Sequence, residues 1–150
     1  MGNNINKTLV DLLHRLLADV RSLTFKTQMY HWNVTGINFV PLHEMFQQQY
    51  EDLWLAQDDI AEKIRALGFI IDPDMVEMFH SAIPATNLNA SVPEEMVGNL
   101  LDDHQLIQTN IIAAIKEAEM VGEFAVMDYL TERLDIHQKT AWFLKATSGK

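Results

Sequence analysis

The chain has 150 residues, 48% of them apolar, a formal net charge of −10 and no cysteine. This length and apolar content predict one domain, residues 1–150, with a real hydrophobic core, and exclude a disordered chain. The negative charge argues against a general nucleic-acid binder, and the lack of cysteine excludes disulfides and thiolate metal sites.

The opening residues MGNNINKTLVDLL are polar and lack the apolar centre of a signal peptide. No run approaches the roughly 20 apolar residues that span a bilayer. We therefore expect a soluble cytoplasmic protein with no membrane segment.

Two long helices are predicted in the first half of the chain. From about residue 5 to residue 33, apolar residues recur every three or four positions, which predicts an amphipathic helix. The stretch from Asn33 to Gly36 ends it. A second helix is predicted from about Asn38, a plausible N-cap, to Leu67, directly before a glycine.

The second half of the chain predicts a long crossover and two more helices. Residues 69–93 are rich in turn residues, with one short helix predicted at roughly 74–81. Ser91 is a candidate cap for a third helix that runs to about Val121. A fourth helix is predicted from about Glu123 to Ala146. Four helices with one long crossover predict an all-α, ferritin-like four-helix bundle, with a simple up-down bundle as the alternative.

Two histidines flank the first predicted turn. His31 closes the first helix and His43 opens the second, so a tight antiparallel turn brings the two imidazoles into one region. Imidazole binds iron or zinc, although Fe²⁺ needs carboxylate as well. Gln47, one helical turn after His43, is on the same face, but its neutral amide is a poor ligand for iron.

The best carboxylate pair is Asp58 and Glu62, four residues apart on one helical face. A solvated acidic surface is the alternative interpretation of this pair. His43 and Asp58 are fifteen residues apart on one predicted helix, which separates them by roughly 22 Å. Either the histidines and carboxylates are unrelated, or they meet across a two-fold axis between two copies of the chain.

Three stretches carry a resemblance to a known family. KTQMYHWNVTGINFVPLHEMF, DDIAEKIRALG and DYLTERLDIHQKTAWFLKA resemble the Dps family of ferritin-like proteins over essentially the whole chain. The resemblance implies a hollow homododecamer with ferroxidase centres at its two-fold interfaces. His31 and His43 match the histidine ligands of one subunit, and Asp58 and Glu62 match the acids of its partner. Trp32 matches a tryptophan beside the centre that intercepts oxidising radicals.

The activity implied by the resemblance is oxidation of Fe²⁺, with hydrogen peroxide favoured over O₂ and ferric mineral stored in the cage, which protects DNA. Glu123 and Asp128 are at positions that match the family's acidic three-fold pore; the alternative is an exposed first turn, where acids are favoured. The family usually has an aspartate where this sequence has Gln47. We expect a weaker second iron position, or one filled through water, and zinc could then compete at the tighter position.

Two other classes of function stay open at this stage: a DNA-compacting structural protein, and a helical bundle that binds metal without catalysis. The net charge of −10 and the lack of a tail rich in lysine and arginine count against the first. Direct DNA binding is therefore not expected at physiological salt.

Overall fold

The computed structural model describes residues 4–77 and 80–149. It contains a short 3₁₀ turn and four long α-helices, and the described part of the chain has no strand. The helices are α1 (Lys7–Asn33), α2 (Phe39–Ala66), α3 (Pro93–Val121) and α4 (Phe124–Thr147). The predicted all-α fold with four helices is confirmed, and the observed helix ends lie within about two residues of the predicted ones.

The helices pack as two hairpins. α1 lies along α2, α3 lies along α4, and α1 also contacts α3, so a long crossover between α2 and α3 joins the hairpins. The apolar stripes of all four helices form one buried cluster. Its fully buried members include Leu9, Leu13, Leu23, Phe46, Leu53, Ile60, Leu100, Ile107, Ile111 and Leu130. No helix of the described residues is long and apolar enough to cross a membrane.

Two details of the predicted helix boundaries differ in the structure. Ser91 does not cap α3, because Val92 occupies the capping position in an extended conformation and no side chain caps the helix. The proline that follows explains this, since it forces the residue before it out of the helical region. The short helix predicted at 74–81 is not confirmed: residues 74–76 form a turn, residue 77 is a bend, and residues 78 and 79 lie outside the described residues.

Polar side chains of α1 hold the crossover against the bundle. The His14 ring accepts a hydrogen bond from the backbone N–H of Asp72 at 3.1 Å. The buried Asp19 carboxylate accepts one from the N–H of Ala82 at 2.8 Å. The Tyr30 hydroxyl donates to a crossover carbonyl at 2.6 Å. His14 therefore has a structural role, as expected for a histidine on the apolar face of a helix.

A second polar network links α2, α3 and α4 inside the bundle. The Arg133 guanidinium donates two hydrogen bonds to Asp52, both at 3.0 Å, and a third to Nε2 of His137 at 2.9 Å. Nδ1 of His137 lies 2.9 Å from Nδ1 of His104. Because arginine only donates, His137 carries its proton on Nδ1 and donates it to His104. Burial lowers the pKa of His104 to about 3 and that of His137 well below its usual value, so both rings are neutral.

One buried ion pair joins α1 to α3. Nζ of Lys26 lies 2.8 Å from the Asp103 carboxylate, and both side chains are almost completely buried. Burial raises the pKa of Asp103, and the hydrogen bond from Lys26 opposes this shift. The buried charges of Lys26 and Asp103 compensate each other, and removing one would leave the other buried and unpaired.

Candidate metal centre

The two histidines at the α1–α2 turn hold each other by reciprocal hydrogen bonds. Nδ1 of His31 bonds to the backbone carbonyl oxygen of His43 at 2.7 Å, and Nδ1 of His43 bonds to the carbonyl oxygen of His31 at 2.7 Å. α1 ends at Asn33 and α2 begins at Phe39, so the short turn places the two residues side by side. The predicted proximity of the histidines is confirmed.

These hydrogen bonds fix the tautomer of both rings. A carbonyl oxygen only accepts, so each Nδ1 carries a proton, and in the neutral ring Nε2 then has a free lone pair. Backbone carbonyls commonly orient the histidine ligands of metal sites in this way. His31 is buried and His43 is half-buried, and backbone acceptors of the chain orient both rings.

The ring geometry limits how the two histidines bind metal. The imidazoles of His31 and His43 stack with centroids 3.7 Å apart and planes inclined by 15°. A metal ion lies close to the plane of the imidazole that binds it, at about 2.1 Å from the nitrogen. Two nearly parallel planes do not meet at so short a distance, so one ion cannot take both nitrogens in good geometry. The pair is suited to two adjacent ions, one at each histidine.

Two aromatic side chains complete the walls of the histidine pair. Phe39 stacks on His43 with centroids 5.0 Å apart. The rings of Tyr50 and His31 have centroids 5.2 Å apart and planes inclined by 63°. Neither residue was expected at the site from sequence. The available signal was helical spacing, because Tyr50 follows His43 by seven residues, which returns to the same face of α2.

The carboxylates lie on the same helix as His43 but far along it. Asp58 and Glu62 are both exposed on α2, which is one continuous helix from Phe39 to Ala66. The expected separation of roughly 22 Å between His43 and Asp58 therefore applies. Within residues 4–77 and 80–149, no three histidine or acidic side chains are grouped to hold a metal. A single chain brings together only the histidines.

The Gln47 side chain is hydrogen-bonded to another side chain of its own helix. Its side-chain Nε2 donates to Oε1 of Glu51 at 2.8 Å, and the residue is exposed. The side chain that follows His43 by one turn therefore presents a neutral amide that is hydrogen-bonded to an acid.

The part of α2 between the histidines and the acids has an exposed apolar surface. Trp54 is 64% exposed and Leu55 is 67% exposed, and both lie about midway between His43 and Glu62. With Tyr50, they line a cavity of about 470 Å³. Large apolar side chains exposed together are typical of a protein interface, and this feature was also missed from sequence.

The other predicted site residues are more scattered. Trp32 is 60% exposed and, among the described residues, makes no ring contact with His31 or His43. Glu123 directly precedes α4 and accepts a hydrogen bond from Asn6 at 2.9 Å. Asp128 is exposed on the first turns of α4.

Known proteins resemble this chain over nearly its whole length. A family model for the ferritin-like domain matches residues 10–150. General stress protein 20U of Bacillus subtilis is 30% identical over 148 residues, covering 97% of this chain and 100% of that protein. DNA protection during starvation protein 2 of Bacillus anthracis is 27% identical over 142 residues, covering 95% and 97%. The crystal structure of a Dps protein from Bacillus brevis has a TM-score of 0.91 and 26% identity, covering 98% of this chain and 99% of that one.

The helix order, the single long crossover and the family match define a ferritin-like four-helix bundle. Within that class, the chain belongs to the Dps family. Both the predicted fold class and the family resemblance are confirmed.

Proposed function

We propose that this chain oxidises Fe²⁺ at centres formed between two copies of itself, with hydrogen peroxide as the favoured oxidant, and stores the ferric product inside a hollow cage. The ferritin-like domain and the Dps family imply iron storage and protection of DNA as the general function. The ferroxidase chemistry and its residues are implied by the family resemblance, and the geometry of the histidine pair supports them.

The observation that carries the proposal is the reciprocal hydrogen bonding of His31 and His43. It presents two unprotonated Nε2 atoms at adjacent positions, and imidazole nitrogen is a ligand that iron accepts. Iron is the substrate here. A site that offers one histidine nitrogen to each of two ions and then adds carboxylates fits binding of Fe²⁺ followed by its oxidation. The added negative charge stabilises Fe³⁺ over Fe²⁺.

In this proposal, the carboxylates come from a second chain. A two-fold axis crossing the middle of α2 would place His43 of one copy beside Asp58 and Glu62 of the other, and make two equivalent centres. The exposed apolar side chains of Trp54 and Leu55 lie where that axis would cross, so they would be buried by the pairing.

A complementation experiment tests whether the centre is shared. One variant, His31→Gln/His43→Gln, lacks the histidine half, and a second, Asp58→Asn/Glu62→Gln, lacks the acid half. We expect each alone to lose rapid peroxide-dependent formation of ferric absorbance. Subunits of the two variants are then mixed in equal amounts while dissociated and allowed to reassemble.

Random pairing predicts recovery of about one quarter of the wild-type centres, because half of the pairs are mixed and each mixed pair has one intact centre of two. Each variant reassembled with itself is the matched control and should stay inactive. No recovery from the mixture, with normal reassembly, would show that the four residues do not form shared centres.

Gln47 sets the strength of the second iron position in this proposal. Its neutral amide gives less attraction for a cation than the aspartate usual in the family, and zinc could compete for the tighter position. Anaerobic titration of Fe²⁺ into wild type and Gln47→Asp tests this. Higher affinity or stoichiometry in the variant is expected; equal values in both proteins would contradict it.

The remaining parts of the proposal concern the assembly. We propose a homododecamer in the cytoplasm, with Glu123 and Asp128 lining an acidic entry pore for Fe²⁺ and Trp32 intercepting radicals. The net charge of −10 per chain supports protection of DNA through removal of Fe²⁺ and peroxide rather than by binding it. Retention of plasmid in a gel shift at physiological salt would contradict the last point.

A further inference from the structure

Glu51 continues a line of side chains that runs along α2 from the histidine pair. His43, Gln47 and Glu51 are spaced four residues apart, which places them one above another on a single face of the helix. Nε2 of Gln47 donates a hydrogen bond of 2.8 Å to Oε1 of Glu51. Gln47 therefore has an acid on one side and a candidate metal ligand on the other.

The bond to Glu51 fixes which way the Gln47 amide points. An amide has a donating nitrogen on one arm and an accepting oxygen on the other, and an ionised carboxylate only accepts. The nitrogen arm therefore faces Glu51, and Oε1 of Gln47 is turned away from it. Within the described residues, the bond to Glu51 is the only hydrogen bond of the Gln47 side chain, so Oε1 is left open.

We propose that Glu51 is a positioning residue, which orients Gln47 so that its Oε1 is a neutral oxygen ligand for the ion at His43. The inference rests on the proposed function, because that function places an ion at Nε2 of His43. Amide oxygen is a ligand that proteins use for divalent cations. The opposite orientation would present the hydrogens of the amide nitrogen, which has no lone pair to give, and would repel the ion.

The negative charge of Glu51 also strengthens this oxygen without touching the ion. A hydrogen bond from the amide nitrogen to a carboxylate polarises the amide and makes its oxygen more negative. Side chains that hold a ligand from behind in this way orient it and tune its affinity for metal. Glu51 thus recovers part of the attraction for cations that a glutamine at position 47 lacks.

The proposed pairing of two chains would strengthen the bond between Gln47 and Glu51. Both side chains are exposed in a single chain. Trp54 and Leu55 follow Glu51 by three and four residues, on the same face of α2, and all three line one cavity of about 470 Å³. A second copy that buries Trp54 and Leu55 would exclude water from this face, and a hydrogen bond is stronger away from water.

The test is a titration of the assembled protein with Co²⁺, which needs no oxidation step, followed by the visible absorption of the bound ion. The ion at His43 is identified as the one lost in His43→Gln. Glu51→Gln replaces the acceptor with a group that both donates and accepts, so the Gln47 amide loses its fixed orientation. We expect Co²⁺ at this position to bind about tenfold more weakly in Glu51→Gln.

The matched control is Glu44→Gln. It removes the same charge directly after His43 in sequence, but consecutive residues of a helix do not share a face. The affinity for Co²⁺ should then change by less than about twofold. Equal losses in Glu44→Gln and Glu51→Gln would show a general effect of charge and would refute the positioning role.

A second pair of variants separates positioning from direct binding. In a Gln47→Ala chain there is no amide to orient, so adding Glu51→Gln should change the affinity by less than about twofold. A loss as large as in the wild-type background would mean that Glu51 binds the ion itself or attracts it from a distance, contrary to the inference. Equal affinity of wild type and Glu51→Gln would also contradict it.

Peroxide-dependent oxidation of Fe²⁺ by wild type separates this inference from the proposed function. If wild type oxidises Fe²⁺ rapidly and His43→Gln does not, the proposed function stands even where the Glu51 variants contradict the positioning role. If His43→Gln changes neither Co²⁺ binding nor Fe²⁺ oxidation, both proposals are wrong.

Discussion

The buried histidine pair of the bundle interior predicts a measurable dependence of stability on pH. Burial, with the nearby Arg133 charge as a smaller cause, lowers the pKa of His104 to about 3, and burial lowers that of His137 in the same direction. In the unfolded chain, both rings regain an ordinary pKa of about 6.5. The unfolded state therefore binds more protons between these values, and the folded state loses stability as the pH falls through that window.

The magnitude follows from the size of the shift. One pKa unit corresponds to about 1.4 kcal/mol, so lowering the pH from 7 to 5 lowers the free energy of unfolding by about 2 kcal/mol through His104 alone. His137 adds to this loss. Asp103 acts in the opposite sense, because its pKa is raised and the folded state takes up its proton first. Its contribution is common to wild type and to variants that change only the histidines.

The assay compares chemical denaturation of wild type and His104→Gln/His137→Gln at pH 7 and pH 5, with protein concentration fixed because assembly contributes to stability. Glutamine keeps hydrogen-bonding groups but does not titrate. Wild type should lose at least about 2 kcal/mol more than the double variant over this range. His80→Gln, a change at an exposed histidine, should behave like wild type. Equal losses in wild type and the double variant would refute the assignment of the pH dependence to this pair.

Three further substitutions test other parts of the structure. Lys26→Met leaves the Asp103 carboxylate buried and unpaired, and should lower the free energy of unfolding by about 3–5 kcal/mol in a denaturant titration. Adding Asp103→Leu in the same chain should restore most of the lost stability. Asp19→Ala removes an acceptor that binds the crossover, and should speed limited proteolysis there while the helical circular dichroism stays unchanged. Leu55→Glu adds charge to the exposed face of α2 and should shift the protein toward monomers in analytical ultracentrifugation; an unchanged assembly would exclude this face from the interface.

The helices were predictable from sequence because the signals are local. Apolar spacing defined each buried face, and the predicted end of α3 at about Val121 is where Gly122 takes the left-handed conformation. The start of α3 was less predictable. Serine is a residue type that often caps helices, which is why Ser91 was predicted. The restriction that Pro93 places on the conformation of Val92 decides where the helix begins. The contacts of α1 with the crossover join residues far apart in sequence, so no local pattern predicts them.

The candidate site was predictable only in part. The spacing of His31 and His43 around a turn predicted that they would be neighbours, but not their reciprocal bonds, since those depend on where two backbone carbonyls point in the folded chain. The proposal of two metal positions, one at each ring, likewise depends on the angle of 15° between the rings, which no sequence pattern contains. Tyr50 was missed because its spacing of seven residues from His43 places it on the same face of α2 but does not by itself mark a site.

The two halves of the proposed centre differ in how far a single chain prepares them. His31 and His43 are held by backbone acceptors within one chain, so their Nε2 atoms need no partner to be oriented. Asp58 and Glu62 are exposed side chains on a different part of α2, and in the proposed centre they would lose rotamer freedom when a second copy packs against them. Assembly therefore changes mainly the acid half. A dissociated subunit should bind a histidine-seeking ion such as Co²⁺ weakly, and pairing should add the carboxylates that favour the ferric product.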